Sequence, residues 1–328
     1  MRERSIKGKI AVEYLERFPR ALTHTLARKI AEENPAVFLN SEDARGTLRY
    51  YRGTSGKALR KDLKDTKFKD IWGEVTLPDG INEPREDFVM PKAQNEILIL
   101  GDVHVPYHDE KALKMTIEWA KPRNINTVII NGDFMDYYRL SSFMQDPRQI
   151  DFRSELDMGY EVMYWLKDQL PNAVFYFMPG NHEYRYERYL TIQAPRLIDT
   201  DEWHMDILLR FGELGIQYLE YKQLININGL FVGHGDEIKK GGSGVNPARG
   251  FFLKAKTNYI GGHFHQTSSH SAKSLEGNIR CWSMGCLCGL TPKYMPYNNW
   301  NHGFARVRQS DNGFDVFNAE ITKGRITG

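Results

Sequence analysis

The sequence predicts an α/β protein preceded by a small all-helical domain. Three observations carry that prediction. From Glu96 onward, short apolar runs alternate with longer segments of helical period, the pattern of a largely parallel sheet covered by helices. Several of those runs end in glycine followed by aspartate, asparagine or histidine, so the chain turns at a sheet edge and carries polar groups into the crevice beyond it. Ahead of them, residues 6–52 show helical spacing, N-caps and proline stops.

The 328 residues suffice for a sizeable core and an accessory module. Residues 1–70 hold 17 Lys/Arg against 10 Asp/Glu, whereas the rest holds 27 against 32. The basic excess is therefore N-terminal, which makes nucleic acid an expected partner of that part and leaves a slightly acidic body. Cys281, Cys286 and Cys288 are odd in number, and no apolar leader precedes them. Their Cys-x4-Cys-x-Cys spacing does not match a zinc knuckle, so buried small hydrophobes in a strand are expected. No stretch approaches the ~20 apolar residues of a membrane span, and a cytoplasmic protein is expected.

In the N-terminal part, apolar residues at Ile10, Tyr14, Leu15 and Phe18 predict a helix over 9–18, stopped by Pro19. A second helix is predicted from Thr23 to Glu33, ending before Pro35. A third begins after Asn40 or Ser41 and runs to Arg52, with Gly53 as its natural end. Arg45, Arg49 and Arg52 fall on one face of it. Three short helices with a basic third one resemble a helix-turn-helix module, expected over residues 1–70, whose last helix contacts DNA. The Gly- and Lys-rich stretch 53–69 extends that surface, and residues 71–95, with three prolines, read as a linker or strap.

From residue 96 the α/β remainder, 96–328, follows strand by strand. Strands are predicted over 96–100, 126–130 and 173–178, separated by helices over 109–121 and 152–170. Further helices are predicted over 184–197, 201–211 and 247–256, and strands over 216–219, 223–227, 230–233 and 258–260. Segments 268–274, 279–284, 304–308 and 314–320 alternate as antiparallel strands do.

The strand ends carry the chemistry. Asp102 and His104 stand two apart and can share one cation. Asp133 has two oxygens and can bridge two ions. Asn181 offers a carbonyl oxygen, and His234, His263 and His265 offer imidazoles. Mixed oxygen and nitrogen donors without thiolate suit manganese, iron or zinc. Two such ions clamp a phosphoryl group, acidify a bridging water and stabilise an in-line displacement. His182, beside Asn181, is placed to bind the phosphate or protonate the leaving oxygen.

Taken together, Asp102-x-His104, Gly132-Asp133-x-x-Asp136, Gly180-Asn-His-Glu183, Gly233-His-Gly235 and Gly262-His-x-His265 resemble the motif set of the calcineurin-like metallophosphoesterases. The resemblance covers about residues 96–320 and implies a four-layer αββα sandwich with a dimetal site at the sheet edges. It implies one metal held by Asp102, His104, Asp133 and His265, and a second by Asp133, Asn181, His234 and His263, with His182 as catalytic residue. Two divalent ions are expected, manganese foremost, with iron, zinc or nickel as alternatives. Asp136 and Glu183 are expected to orient histidines rather than bind metal.

Two departures bear on substrate. The protein phosphatases of that superfamily carry an arginine after the second motif's last aspartate, where this chain has Tyr137, and Val105 replaces a glycine common after the first motif. The leading expectation is thus a phosphodiesterase or nuclease working through a metal-bridged hydroxide on nucleic acid, a combination suited to a phage or mobile element. A phosphomonoesterase and a DNA-binding regulator with a scaffold domain are the alternatives. Tyr137, Tyr138 and Phe143 are candidate stacking residues, and Lys239–Gly244 a candidate phosphate-contacting loop.

Overall fold

The computed structural model describes residues 4–53, 80–81, 86–142, 146, 148–238, 245–275 and 277–328. The chain forms two compact units, Met1–Glu83 and Pro84–Gly328. No helix among the described residues is long and apolar enough to cross a membrane.

The first unit contains α1 (Ile6–Arg17), α2 (Thr23–Glu33) and α3 (Ser41–Tyr51). Helix α1 starts earlier than its apolar spacing suggests, because the Ser5 side chain accepts the Gly8 amide and caps it. Asn40 caps α3 by accepting the Asp43 amide at 3.0 Å. Leu15, Leu26, Ile30, Phe38, Ala44 and Leu48 fill the space between the helices. The three arginines of α3 do not form one free stripe. Arg45 pairs with Glu42 at 2.7 Å, and Arg49 is exposed. Arg52 instead turns inward, donating to Thr23 Oγ1 at 2.7 Å and to the Ala21 carbonyl. It ties the end of α3 to the start of α2, which corrects its expected role as a phosphate contact. Residues 54–69, Phe143 and 239–244 lie outside the described residues.

In the second unit, β1 (Phe88–Val89) lies in the stretch read as a linker or strap and pairs with a later strand. Strand β2 (Glu96–Leu100) leads to α4 (Glu110–Ala120), capped by Asp109. Then follow β3 (Thr127–Asn131), α5 (Phe152–Gln169), β4 (Val174–Met178) and α6 (Glu183–Gln193). The helix expected over 201–211 is broken into short turns, because His204 is extended with ψ 144° and Arg210 adopts a left-handed φ of 54°. Strands β5 (Ile216–Tyr218), β6 (Ile225–Ile227) and β7 (Leu230–Val232) precede α7 (Pro247–Ala255) and β8 (Tyr259–Gly261). The remainder is β9 (Ser268–Ser274), β10 (Gly277–Ser283), β11 (His302–Ser310), β12 (Gly313–Thr322) and β13 (Arg325–Thr327).

One sheet has the order β13-β12-β11-β2-β3-β4-β5, the other β1-β6-β7-β8-β10-β9. The period-2 alternation of β2 decides how they stack. Ile97 and Ile99 face the second sheet, joining Ile129, Ile225, Val232 and Ile260. Leu98 and Leu100 face the other way, onto Leu113, Ile117, Met163 and Leu166 of α4 and α5. Beyond the second sheet, Ala248 and Phe251 of α7 cover Tyr259 and Cys281. Helices, sheet, sheet, helix: four layers. Each aliphatic side chain buried between them contributes about 1.5–3 kcal/mol.

Candidate metal centre

Strands β2, β3 and β4 run parallel, as do β7 and β8, so their carboxyl ends open on one edge of each sheet. Asp102 and His104 follow β2, Asp133 follows β3, and Asn181 and His182 follow β4. His234 follows β7, while His263 and His265 follow β8. Backbone bonds lock these loops together: His104 donates to the Asp133 carbonyl at 2.9 Å, and Gly262 to the His234 carbonyl at 2.8 Å. The two sheets meet where the His263 amide donates to the Asp102 carboxylate at 2.9 and 3.1 Å. Asp102, His104, Asp133, His263 and His265 all have φ between 49° and 68°, a left-handed conformation that such residues adopt where the surroundings enforce it. Gly132 has φ 74°, and a Cβ there would fall on the His234 ring.

The geometry converges on Asp133. Its Oδ2 lies 3.2 Å from His234 Nε2, 3.8 Å from His182 Nε2 and 3.9 Å from His104 Nε2. Its Oδ1 accepts the His182 amide at 2.8 Å, just ahead of the N-terminus of α6, where a carboxylate is favoured. Asp102 Oδ1 lies 3.2 Å from His265 Nε2, which faces His104 Nε2 at 3.2 Å. Asn181 Oδ1 is 3.3 Å from His234 Nε2. All seven expected ligand residues thus border one space, and Asp133 belongs both to the group with His104 and to the group with His234 and His263.

The outer nitrogens explain why the rings point inward. His104 Nδ1 lies 3.1 Å from Asp136 Oδ1, and His234 Nδ1 donates to the Asn131 carbonyl at 2.9 Å. Asp136 thus lies behind a histidine ring rather than in front of it. Glu183 does not: its carboxylate accepts the amides of Asp133 at 2.9 Å, Met135 at 2.8 Å and Gly180 at 2.8 Å. It holds the loops rather than the imidazoles, because it is buried beneath them. Burial, then the charge of Asp133, raises its pKa.

Sequence reasoning missed three neighbours. Arg185 donates to His182 Nε2 at 2.8 Å and to the Asp136 carbonyl at 2.9 Å. His182 Nδ1 meets the same carbonyl at 2.8 Å. Cys288 Sγ lies 3.8 Å from His265 Nδ1, and the Trp300 ring lies 4.1 Å from the His265 ring. Of the three buried cysteines only Cys281 lies in a strand, so Cys288 is a wall of the site rather than a strand hydrophobe. The i, i+3 spacing of His182 and Arg185 at a helix start was the signal for the first of these. Tyr137 is fully buried against Phe152 and Tyr186, and so is not the stacking surface expected of it.

A family model described as calcineurin-like phosphoesterase matches residues 96–316. The chain belongs to that family. It is 25% identical over 222 residues to the gene 54 protein of Mycobacterium phage L5, covering 64% of this chain and 87% of that one. Vacuolar protein sorting 29 of Cryptosporidium parvum is similar at 13% identity and a TM-score of 0.40, covering 71% of this chain and 94% of that one. A dimetal phosphatase from Danio rerio is similar at 10% identity and a TM-score of 0.35, covering 69% and 96%.

The site of this calcineurin-like phosphoesterase fits a pair of cations. His263 Nδ1 is buried with no hydrogen-bond partner among the described residues. His104 and His265 bring two ring nitrogens to within 3.2 Å of each other, where both could turn lone pairs on one cation. Burial lowers the His265 pKa, but the adjacent Asp102 carboxylate outweighs it and raises the imidazole to about 10, so a proton occupies the place suited to a cation. Burial disfavours the charged form of Asp133, yet His182 and His234 hold it well below the usual carboxylate range.

Proposed function

We propose that this phosphoesterase is a dimetal-dependent phosphodiesterase or nuclease acting on nucleic acid, with the N-terminal helices as its DNA-binding module. The observation that carries the dimetal part is the sharing of Asp133 between two groups of donors. Asp102, His104, Asp133 and His265 would hold one ion; Asp133, Asn181, His234 and His263 would hold the other. Two divalent ions there supply charge to the phosphoryl oxygens and acidify water for an in-line displacement. Manganese is the ion we assign first, since the donors are oxygen and imidazole.

The chain's own residues do the rest. Asp136 and the Asn131 carbonyl fix the tautomers of His104 and His234, leaving each Nε2 lone pair facing inward. The buried carboxylates of Asp102 and Asp133 lie where charge interactions are stronger than in water. His182 stands at the border of the space with its Nε2 3.8 Å from Asp133. Burial lowers its pKa, and the Asp133 charge together with the Asp136 carboxylate outweighs this for a net rise, which suits a group that meets the phosphate or the leaving oxygen.

The basic excess of residues 1–70 supports nucleic acid as substrate, and Arg45 and Arg49 are the residues we assign to phosphate contacts. The phage relative accords with a phage or mobile-element setting. The test is activity of the metal-free full chain after addition of manganese, zinc, magnesium or nickel. Substrates are bis-p-nitrophenyl phosphate, p-nitrophenyl phosphate, and single- and double-stranded DNA. Cleavage of the diester and of DNA is expected. Cleavage of the monoester alone would move the assignment to a phosphomonoesterase. DNA binding with no cleavage under any metal would leave a regulator.

A further inference from the structure

Arg185 has no part in the ligand set, yet it lies against the residue assigned to the phosphate. It sits in the first turn of α6, three residues after His182 and on the same side of the helix. One terminal nitrogen donates to His182 Nε2 at 2.8 Å and the other to the Asp136 carbonyl at 2.9 Å. These contacts orient the guanidinium plane along the edge of the site. They take two of the five N–H donors an arginine carries, and the remaining donors have no partner among the described residues. The side chain is half-buried, so one edge of the fork stays open.

The contacts also constrain His182. Its Nδ1 faces a carbonyl oxygen and must donate; its Nε2 faces a guanidinium N–H and must accept. Of the pair, the guanidinium is the group that carries a permanent charge and outward-facing donors. The residue that follows Asp136, Tyr137, is buried and uncharged, so it brings no cation to this border. The two ions would offset Asp102 and Asp133, but Asp136 binds neither of them and leaves a negative charge at the border a phosphate ester approaches. A planar, permanently charged fork beside Asp136 is the chemistry that offsets it.

We propose that Arg185 is a phosphate-contacting residue of the site, binding non-bridging oxygens of the substrate phosphoryl group, with His182 and the Asp136 carbonyl as the brackets that aim it. This rests on the phosphoesterase assignment above, but its test does not depend on which ester is cleaved. The probe is inorganic phosphate, measured both as an inhibitor and by direct calorimetric binding to the manganese-loaded full chain.

Arg185→Ala and Arg185→Gln are expected to keep the metal content of the parent and to bind inorganic phosphate about 10- to 100-fold more weakly. kcat/KM for bis-p-nitrophenyl phosphate should fall by at least as much. Guanidinium chloride in the millimolar range should restore part of the activity of Arg185→Ala and none to His182→Ala. Arg185→Lys should recover the charge but not the fork, giving intermediate phosphate binding. Parent-like phosphate binding in Arg185→Gln and Arg185→Lys, with full metal content, would overturn the proposal. So would a fall in turnover with phosphate affinity unchanged, since that marks a residue that only positions His182. If Arg185→Ala fails to fold, the Gln and Lys variants decide. Arginine-dependent phosphate binding by a protein that cleaves no ester would sink the proposed function and leave Arg185 standing. Ester cleavage with arginine-independent phosphate binding would do the reverse.

Discussion

His104 and His265 point their Nε2 atoms at one another across 3.2 Å. His104 is locked from behind by Asp136, and Asp102 stands beside His265. Two lone pairs cannot face one another at this distance, so one of the two nitrogens carries a proton here, in the place a cation would take. Metal binding should therefore release protons. With His265 raised to about 10 by Asp102 against the opposing effect of burial, manganese affinity should tighten by about tenfold per pH unit for each proton displaced between pH 6 and 8. Competition titration with a chelating dye measures it, and a pH-independent affinity would contradict the assignment of His265 as a ligand.

Asp133→Asn should lose metal and turnover together. One neutral oxygen donor cannot hold two divalent cations whose charges repel. Elemental analysis of the purified variant is the check: two ions per chain with parental turnover would remove Asp133 as the bridge.

His182→Ala should keep its metals and lose about 10²–10⁴ in turnover. If the variant purifies metal-free, His182 is a ligand instead, a possibility its place in a group with His104 and Asp133 makes worth the measurement.

Glu155 gives a pH dependence of stability. It is buried, accepts the Tyr137 amide and has its pKa raised to about 7, by burial first and by the Asp136 charge second. A carboxyl whose folded pKa lies above its unfolded value favours the fold most when protonated. That contribution is complete below about pH 4 and is lost as pH rises through about 7. Glu155→Gln keeps an acceptor for the Tyr137 amide and carries no charge. Relative to the parent it should gain on the order of 2–3 kcal/mol between pH 5 and pH 8. Urea denaturation at both pH values tests this; parallel behaviour of the two proteins would mean Glu155 titrates normally.

In the N-terminal unit, replacing Arg45 and Arg49 together should weaken duplex binding and reduce the salt slope by about 2, at about 0.9 per phosphate contact. Arg52→Ala should act differently, lowering the stability of the bundle because Thr23 and Ala21 lose their donor. Filter binding between 50 and 200 mM salt separates the two, and an unchanged slope in the double variant would argue against phosphate contacts by α3.

Much of this protein was legible in its sequence. Period, caps and apolar runs placed α2, α5, β2 and most of the strands near their observed limits, because those signals act within a few residues of the chain. Asp102, His104, Asp133, Asn181, His234, His263 and His265 stand out by their order at strand ends, and the fold gathers them around one space. Where sequence reasoning failed, the deciding contact was distant along the chain. Arg52 reads as one of three basic residues on a face until Thr23, 29 residues away, claims it. Tyr137 reads as an exposed aromatic until Phe152 and Tyr186 close over it. Glu183 reads as a partner for histidines until the loop of Asp133, 50 residues earlier, folds onto its carboxylate. Aspartate and histidine tolerate the left-handed backbone better than most residues, but five such positions, Asp102, His104, Asp133, His263 and His265, gather only where the strand-end loops pack together. Sequence determined which groups could bind and which segments were strand or helix. Only packing decided which carboxylate faces a ring, which faces an amide, and that a guanidinium from α6 stands beside them.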